Sequence, residues 1–492
     1  MSAASAAMAD IEPQDVWDAW QKEFAHTGQS ITTGSVEAKR KLLVLRDIST
    51  EMASETGHMT TQLEQIEMRA VGGGKVEIIF SDEIKLSSTN TVDDGLSSKM
   101  DGVVSLGTHR MIASGDPDRI SYEIEASSVT MDLKSRIDGE EDLIADIQFT
   151  LEDIAGTYAT MPLKDGMLPA TVDLKVAKYT ASVFSDTDEP KGKMQLSGEM
   201  ADYTITGDFQ FPEGSAKGGF GGWMRAGALI DTTYTTGAGR FDFDLDAGPK
   251  SGAGTATLAS SSVAVVAAKE GITYSGEVLG LDFMAKGAAL PIPQVTGSLS
   301  RYGFGVTMPV GVSQEPQDFA LNLALSDLTL GEDVWGLFDP TKGLPRDPAQ
   351  LDLALSGKGN WLVDIFDPEA AKGAAQGKQA PGALQSFAID RLKLAVAGAL
   401  LTGNGEATFP PEAKGKAGGF PLPDGTLNLS LTGGYGLMGK LTEIGLLPAD
   451  QAMGAQMMLG LFTKPGTEPD SLTTELKSTS DGALYANGQR FK

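Results

Sequence analysis

Residues 319–330 read FALNLALSDLTL, and residues 351–357 read LDLALSG. In both, leucine recurs at every second position, over 321–325 in the first and 351–355 in the second. An extended chain puts Leu321, Leu323 and Leu325 on one face of its strand, and Leu351, Leu353 and Leu355 on one face of theirs. Between them GEDVWGLFDP (331–340) reads as a short helical turn. Residues 387–462 look like a second copy of this unit. FAIDRLKLAVAGALLTGNGEATF (387–409) and PDGTLNLSLTGG (423–434) supply the strands, with Leu427, Leu429 and Leu431 in step, and YGLMGKLTEIGLLPADQAMGAQMMLGLF follows. Stacked β-units of this kind build a long surface rather than one catalytic pocket.

Working back toward the N-terminus, the same period of two recurs. It is clear in VEIIF (76–80), ISYEIEASSVTMDLK (120–134), IADIQFTLEDI (144–154), TVDLKVAKYTASVF (171–184), MQLSGEMADYTITGDFQF (194–211) and RFDFDLDAG (240–248). TATLASSSVAVVAA (255–268) and GITYSGEVLGLDFMAKG (271–287) continue it. Alternation means one buried and one wet face, so the sheet is expected to be antiparallel. The fold class predicted is mainly β: long curved antiparallel sheets with repeated β-units and a few short helices, groove- or barrel-like. Residues 10–311 read as an N-terminal helix plus β-rich region and 312–492 as the repeat region. The stretches 212–222, 369–383 and 410–425 read as low-complexity joints.

Two helices are predicted. Residues 12–27 carry Pro13 in the first turn, a Trp17–Trp20–Phe24 stripe, and Gly28 as the stop. The last helix starts at Pro448 and Asp450, aligns Met453, Met457 and Leu461, and stops at Lys464-Pro465-Gly466. Its methionine face reads as core packing or as contact with acyl chains, because methionine adapts to irregular apolar matter. Two strands, SLTTELKST (471–479) and GALYANGQRF (482–491), close the chain.

Composition bounds function. The chain has 492 residues, 60 of them glycine, and a formal charge of −27. That charge repels phosphate backbones and no basic stripe is present, so no nucleic-acid partner is expected. It opposes adsorption to anionic headgroups but not binding of acyl chains. There is no cysteine, hence no disulfide, zinc–thiolate or thiol chemistry. No run reaches the length of a membrane span, so no transmembrane segment is predicted. MSAASAAMA (1–9) ends in Ala7-Met8-Ala9, a small-x-small pattern that reads as the remnant of a signal peptide. A periplasmic location is expected.

No catalytic, metal or cofactor site emerges. Asp242, Asp244 and Asp246 suggest calcium, but the positions an EF-hand fills with Gly and Glu hold Ala247 and Ala253. GGGK (72–75) and GGFGG (218–222) lack phosphate-loop spacing and read as turns. His26, His58 and His109 are far apart, and no G-x-S-x-G elbow occurs. Acidic clusters such as Glu140, Glu141 and Asp142 read as surface. WGLFDPTKGLP (335–345) reads as a packing corner that caps a repeat.

FDPTKGLPRDPAQLDLALSG (338–357), VDIFDPEAA (363–371), GLLPADQAMGAQMMLGLF (445–462) and LYANGQRF (484–491) resemble an uncharacterised family of alphaproteobacterial envelope proteins, DUF2125. More distantly, AGALLTGNGEATF (397–409) and PDGTLNLSLTG (423–433) are similar to the C-terminal repeat of AsmA-like proteins. That resemblance implies a β-groove with an apolar interior and a part in phospholipid movement. It implies no catalytic residue, and the protein is expected not to be an enzyme. Phospholipid or another apolar ligand is the expected partner, lined by the nine leucines above together with Met453 and Met457. An envelope protein with a dry core and a protein partner is the alternative.

Overall fold

The computed structural model describes residues 10–53, 57–91, 97–137, 145–188, 191–214, 219–377, 380–410 and 422–491. The expected signal remnant 1–9, the acidic cluster 140–142 and most of the 410–425 joint lie outside them. The described ladders form one 26-stranded antiparallel sheet. The chain divides into two compact units. Unit 1 runs to Thr255 and takes in Ser262–Lys269; unit 2 is Ala256–Ser261 with the chain from Glu270 onward. The division falls some fifty residues ahead of 312.

Unit 1 opens with helix α1 (Pro13–Thr27). The strands are β1 (Ser30–Lys39), β2 (Leu42–Ala53), β3 (Gly57–Gly72), β4 (Lys75–Phe80), β5 (Glu83–Thr91), β6 (Ser97–Leu106), β7 (His109–Asp116) and β8 (Arg119–Ile137). Then come β9 (Ala145–Thr160), β10 (Met167–Asp188), β11 (Lys191–Pro212), α2 (Gly219–Ala226), β12 (Leu229–Thr236), β13 (Gly239–Asp246), β14 (Gly252–Leu258) and β15 (Ser260–Ala268). Most strands pair with the strand before them. Long β3 is shared by two short ones, its first half facing β5 and its second half β4. The run 255–268, expected as one strand, breaks at Ala259 into β14 and β15.

Helix α1 forms as its sequence suggests. Glu12 and Asp15 complete a reciprocal cap, Pro13 stands at the start, and Gly28 ends the helix at φ 81°. Its apolar stripe buries Val16 and Trp17 on the sheet with Leu43, Leu45, Ile66, Met68, Val76, Ile78, Ile120 and Tyr122. This is the principal core of the unit. Helix α2 replaces the turn expected around GGFGG. Glycines disfavour a helix, but Met224 and Ala228 are buried and Trp223 packs edge-on against Phe211, so tertiary packing overrides propensity. Of that motif, residue 218 lies outside the described residues.

A repeated device keeps the long strands one-faced. Asp47, Asp153, Asp202 and Asp327 sit inside strands with φ between 51° and 57°. Aspartate tolerates this left-handed conformation better than most residues. On β9, Tyr158, Gly156 and Ile154 alternate up to Asp153, and Leu151, Phe149 and Ile147 alternate beyond it. The parity has changed, yet Leu151 packs on the cluster of Ala126, Ile154 and Val176. The left-handed residue absorbs one step of the pleat, so apolar side chains on either side stay on the same face. β2 does the same about Asp47, where Leu43, Leu45 and Ile48 join one core.

Unit 2 continues with β16 (Gly271–Gly287), β17 (Val295–Pro309), β18 (Gln317–Leu330), α3 (Glu332–Trp335), β19 (Ala349–Trp361), α4 (Pro368–Ala375), β20 (Gly382–Val396) and β21 (Ala399–Thr408). It ends with β22 (Asp424–Thr432), α5 (Gly434–Glu443), α6 (Ala449–Phe462), β23 (Lys464–Pro465), β24 (Ser471–Ser478), β25 (Leu484–Ala486) and β26 (Gln489–Arg490). Helix α4 occupies part of the 369–383 joint, started by Asp367, whose carboxylate accepts the N–H groups of Glu369 and Ala370. Residues 378–379 of that joint lie outside the described residues.

Candidate functional site

The register of unit 2 brings the predicted leucines together. Leu321 lies opposite Leu355, Leu323 opposite Leu353 and Leu325 opposite Leu351. β20 extends the rows, with Leu394 beside Leu351, Leu392 beside Leu353 and Ile389 beside Leu355. Leu394 then meets Leu401, and Leu401 meets Leu431. β24 adds Leu472 beside Leu431 and Leu476 beside Leu427. On the other side Tyr302, Phe304 and Val306 of β17 pair with Leu325, Leu323 and Leu321. One apolar face thus crosses β17 to β22 and ends on β24. It has room for its side chains because Gly403 faces Leu429; a Cβ there would stand 2.5 Å from Leu429 Cδ2.

None of the nine predicted leucines is buried, and Leu321 is 39% exposed. Leu394, on the same face, is 38% exposed. Met453 and Met457 stand apart from this pattern. They lie on α6 and are 70% and 65% exposed, with Met458 and Leu461 similarly bare. The core packing expected of that helix is confined mainly to Ala452, its one buried residue. α6 has apolar residues on more than one side, so a single methionine stripe does not decide which side is covered.

At one end of the leucine face is a cavity of about 430 Å³. Leu328, Leu330, Ala349 and Val396 supply its strand wall, Trp335 and Phe338 its corner, and Leu437 and Leu441 of α5 its helical wall. The corner is built on Asp339, which is 1% exposed. Asp339 accepts N–H groups from Gly343 at 2.8 Å and Leu344 at 2.9 Å, and Arg346 Nη1 lies 2.5 Å from its Oδ2. The Arg346 guanidinium lies over Trp335 at 4.1 Å from the ring centre. Burial works to raise the Asp339 carboxyl. Arg346 and the Leu344 and Gly343 N–H groups outweigh it and hold the acid at about 2. The expected packing corner is therefore an ionic one; its signal, Asp339 and Arg346 flanking a Pro-Gly-Pro turn, was readable in FDPTKGLPR.

In unit 1 the comparable face is capped at α1 and carries aromatic residues. Phe149, Tyr179 and Tyr203 stack at centroid distances of 6.2 Å, all half-buried or better. Nearer α1, Trp20 Nε1 donates to Tyr122 Oη at 2.9 Å, and Tyr122 stacks on Tyr158. Glu23 accepts the Thr160 hydroxyl at 2.6 Å. Burial pushes the Glu23 carboxyl up, and the hydroxyl only partly offsets it. The three histidines stay separate. His26 faces the Phe211 carbonyl at 2.9 Å, His109 faces that of Gly107 at 2.8 Å, and His58 lies 4.0 Å from Glu51.

No family model and no curated protein matches the chain. Among solved structures it is similar to the ferric citrate transporter FecA in its unliganded form, at 8% identity, over 94% of this chain and 76% of that one, with a TM-score of 0.18. Among the described residues no helix is long and apolar enough to cross a membrane.

Proposed function

We propose that this chain is a non-enzymatic envelope protein that holds phospholipid, or another apolar ligand, along the leucine face of unit 2. The observation that carries this reading is the register itself: nine leucines on three strands share one face, and none is buried. A contiguous apolar surface of this kind marks an interaction site in a soluble protein. Burial of acyl chain supplies affinity at about 0.8 kcal/mol per methylene and needs no directed polar contact. The 430 Å³ cavity would receive the end of a chain that runs along the face. The resemblance of residues 338–357 and 445–462 to envelope proteins, and the absence of cysteine, favour a periplasmic location.

The test is native mass spectrometry with lipid extraction, on wild type and on a Leu353→Asp/Leu429→Asp variant purified from the natural host. Stoichiometric lipid on the wild type and its loss from a folded variant are expected. A wild type free of lipid, or a variant with unchanged lipid, would refute the proposal and leave a structural protein.

A further inference from the structure

Among the described residues, β24 and β1 are finished differently on the sides turned away from β22 and β2. β24 is covered on its far side: Lys464 and Pro465 of β23 pair with Thr473 and Leu472, and β25 pairs with Leu476–Ser478. Between them Asn487 donates its N–H to the Glu475 carbonyl at 2.7 Å, and its side chain accepts the Glu475 N–H. Short strands, a proline and charged side chains are usual means of blunting an edge. β1 is ten residues long without proline, and its two charges, Glu37 and Lys39, pair with each other. Among the described residues its only ladder is with β2, over Ser30–Lys39. Its second half is exposed throughout, including Val36 at 50%.

The geometry points to β1 as a dimerisation edge, pairing antiparallel with β1 of a second copy about a two-fold axis between Gly34 and Ser35. The pattern of β1 fits itself in this register. Against β2, Thr33 lies opposite Ile48, while Val36 and Ala38 lie opposite Leu45 and Leu43. Those three partners share one core, and Ile31 packs on that core too. The inward set is therefore Ile31 and Thr33 before Gly34, and Val36 and Ala38 after it. The outward set is Ser30 and Thr32, then Glu37 and Lys39, whose side chains pair at 2.5 Å. Centred between Gly34 and Ser35, a two-fold places Ile31 opposite Ala38 and Thr33 opposite Val36. It likewise sets Ser30 opposite Lys39 and Thr32 opposite Glu37. Inward meets inward, outward meets outward, and no like charges face each other. A two-fold centred on a single residue would put inward side chains against outward ones. The parity change that Gly34 shares with Asp47 of β2 thus selects the register. Pairing covers Val36 and closes about ten backbone hydrogen bonds.

The test uses the full chain, which has no cysteine of its own. A Thr32→Cys chain mixed with a Glu37→Cys chain should cross-link under mild oxidation to a disulfide heterodimer, because directly opposed residues are within disulfide reach. Thr32→Cys alone should give little. Sedimentation of the wild type at tens of micromolar should show a dimer. Val36→Lys, which turns a charge into the seam at an already exposed position, should weaken it about tenfold. A wild-type monomer at these concentrations, or cross-linking no better in the mixture than with Thr32→Cys alone, would overturn the proposal. Neither readout depends on bound ligand, so the dimer can fail while lipid binding stands.

Discussion

At the scale of single residues, the aspartates carry more of this structure than the composition suggests. Most of the 66 acidic side chains are surface charge. Asp339 is enclosed: its backbone N–H donates to the Trp335 carbonyl of α3, and its carboxylate ties the Gly343–Leu344 turn and Arg346 into one corner of the candidate cavity. Its folded pKa of about 2 lies below the unfolded aspartate value of roughly 3.9. The group therefore adds stability above pH ~4 and loses it as pH falls toward 2. Asp339→Asn should lower the melting temperature at pH 7 by about 5 °C or more, since it removes the buried anion of Arg346 and leaves it only the exposed Glu332, 3.6 Å from Nε. Thermal melts from pH 7 to pH 2 should show the gap between wild type and variant closing below pH 4. A gap that is constant across this range would mean that packing, and not charge, holds the corner. Asp47, Asp153, Asp202 and Asp327 act through the backbone instead. Their role was not legible, because an aspartate in an alternating strand reads as an outward polar residue until both neighbouring strands are in view.

Among the elements, those with an amphipathic stripe were legible and those held by tertiary contact were not. α1 follows from Pro13, Trp17, Trp20 and Gly28, and the strands follow from their period of two. α2 and α4 lie in Gly- and Ala-rich stretches and, at eight residues each, are too short for an apolar stripe to repeat along the sequence; Trp223 against Phe211 helps hold α2 in place. The leucine face was half legible. Its nine named members alternate cleanly, while Leu392, Leu394 and Leu401 join only because a shift between Ile389 and Leu392 resets the register of β20 against β21. Met453 and Met457 were chosen by helical spacing, which says which side of α6 they share and not what covers that side. α1 also holds a charge in a costly place. Glu23 is packed toward Thr160, Tyr122 and Tyr158, and burial raises its pKa. A carboxyl with a raised folded pKa binds its proton more tightly in the folded state. Stability is therefore lost as pH rises from the unfolded value of roughly 4.3 through the folded one. Glu23→Gln keeps an acceptor for the Thr160 hydroxyl and removes the charge. It should raise the melting temperature at pH 7 by a few degrees (~2–4 °C) and leave it unchanged below pH 4. An equal effect at both pH values would show that Glu23 is not titrating against its burial.

For the whole molecule, charge and apolar surface make opposite demands, and that opposition decides how a ligand would be recognised. A formal charge of −27 repels anionic headgroups and membrane surfaces alike. If the leucine face of unit 2 is the binding surface, affinity must come from buried methylenes and change little with salt, because a Debye length of about 8 Å at physiological ionic strength screens the surface charge without touching the apolar term. The quantity to measure is displacement of a fluorescent acyl probe by saturated fatty acids of increasing length. At about 0.8 kcal/mol per methylene, each added carbon should tighten binding roughly fourfold while chain remains to be covered. The series should then level off where the face ends. In 0.05 M and 0.5 M salt the slope should be the same, and only the intercept should move, through the repulsion between the carboxylate and the acidic protein. Leu353→Asp/Leu429→Asp should flatten the slope, because it interrupts the stripe at β19 and β22. A series independent of chain length in the wild type would place recognition in the headgroup, and the leucine face would then be a surface for another protein.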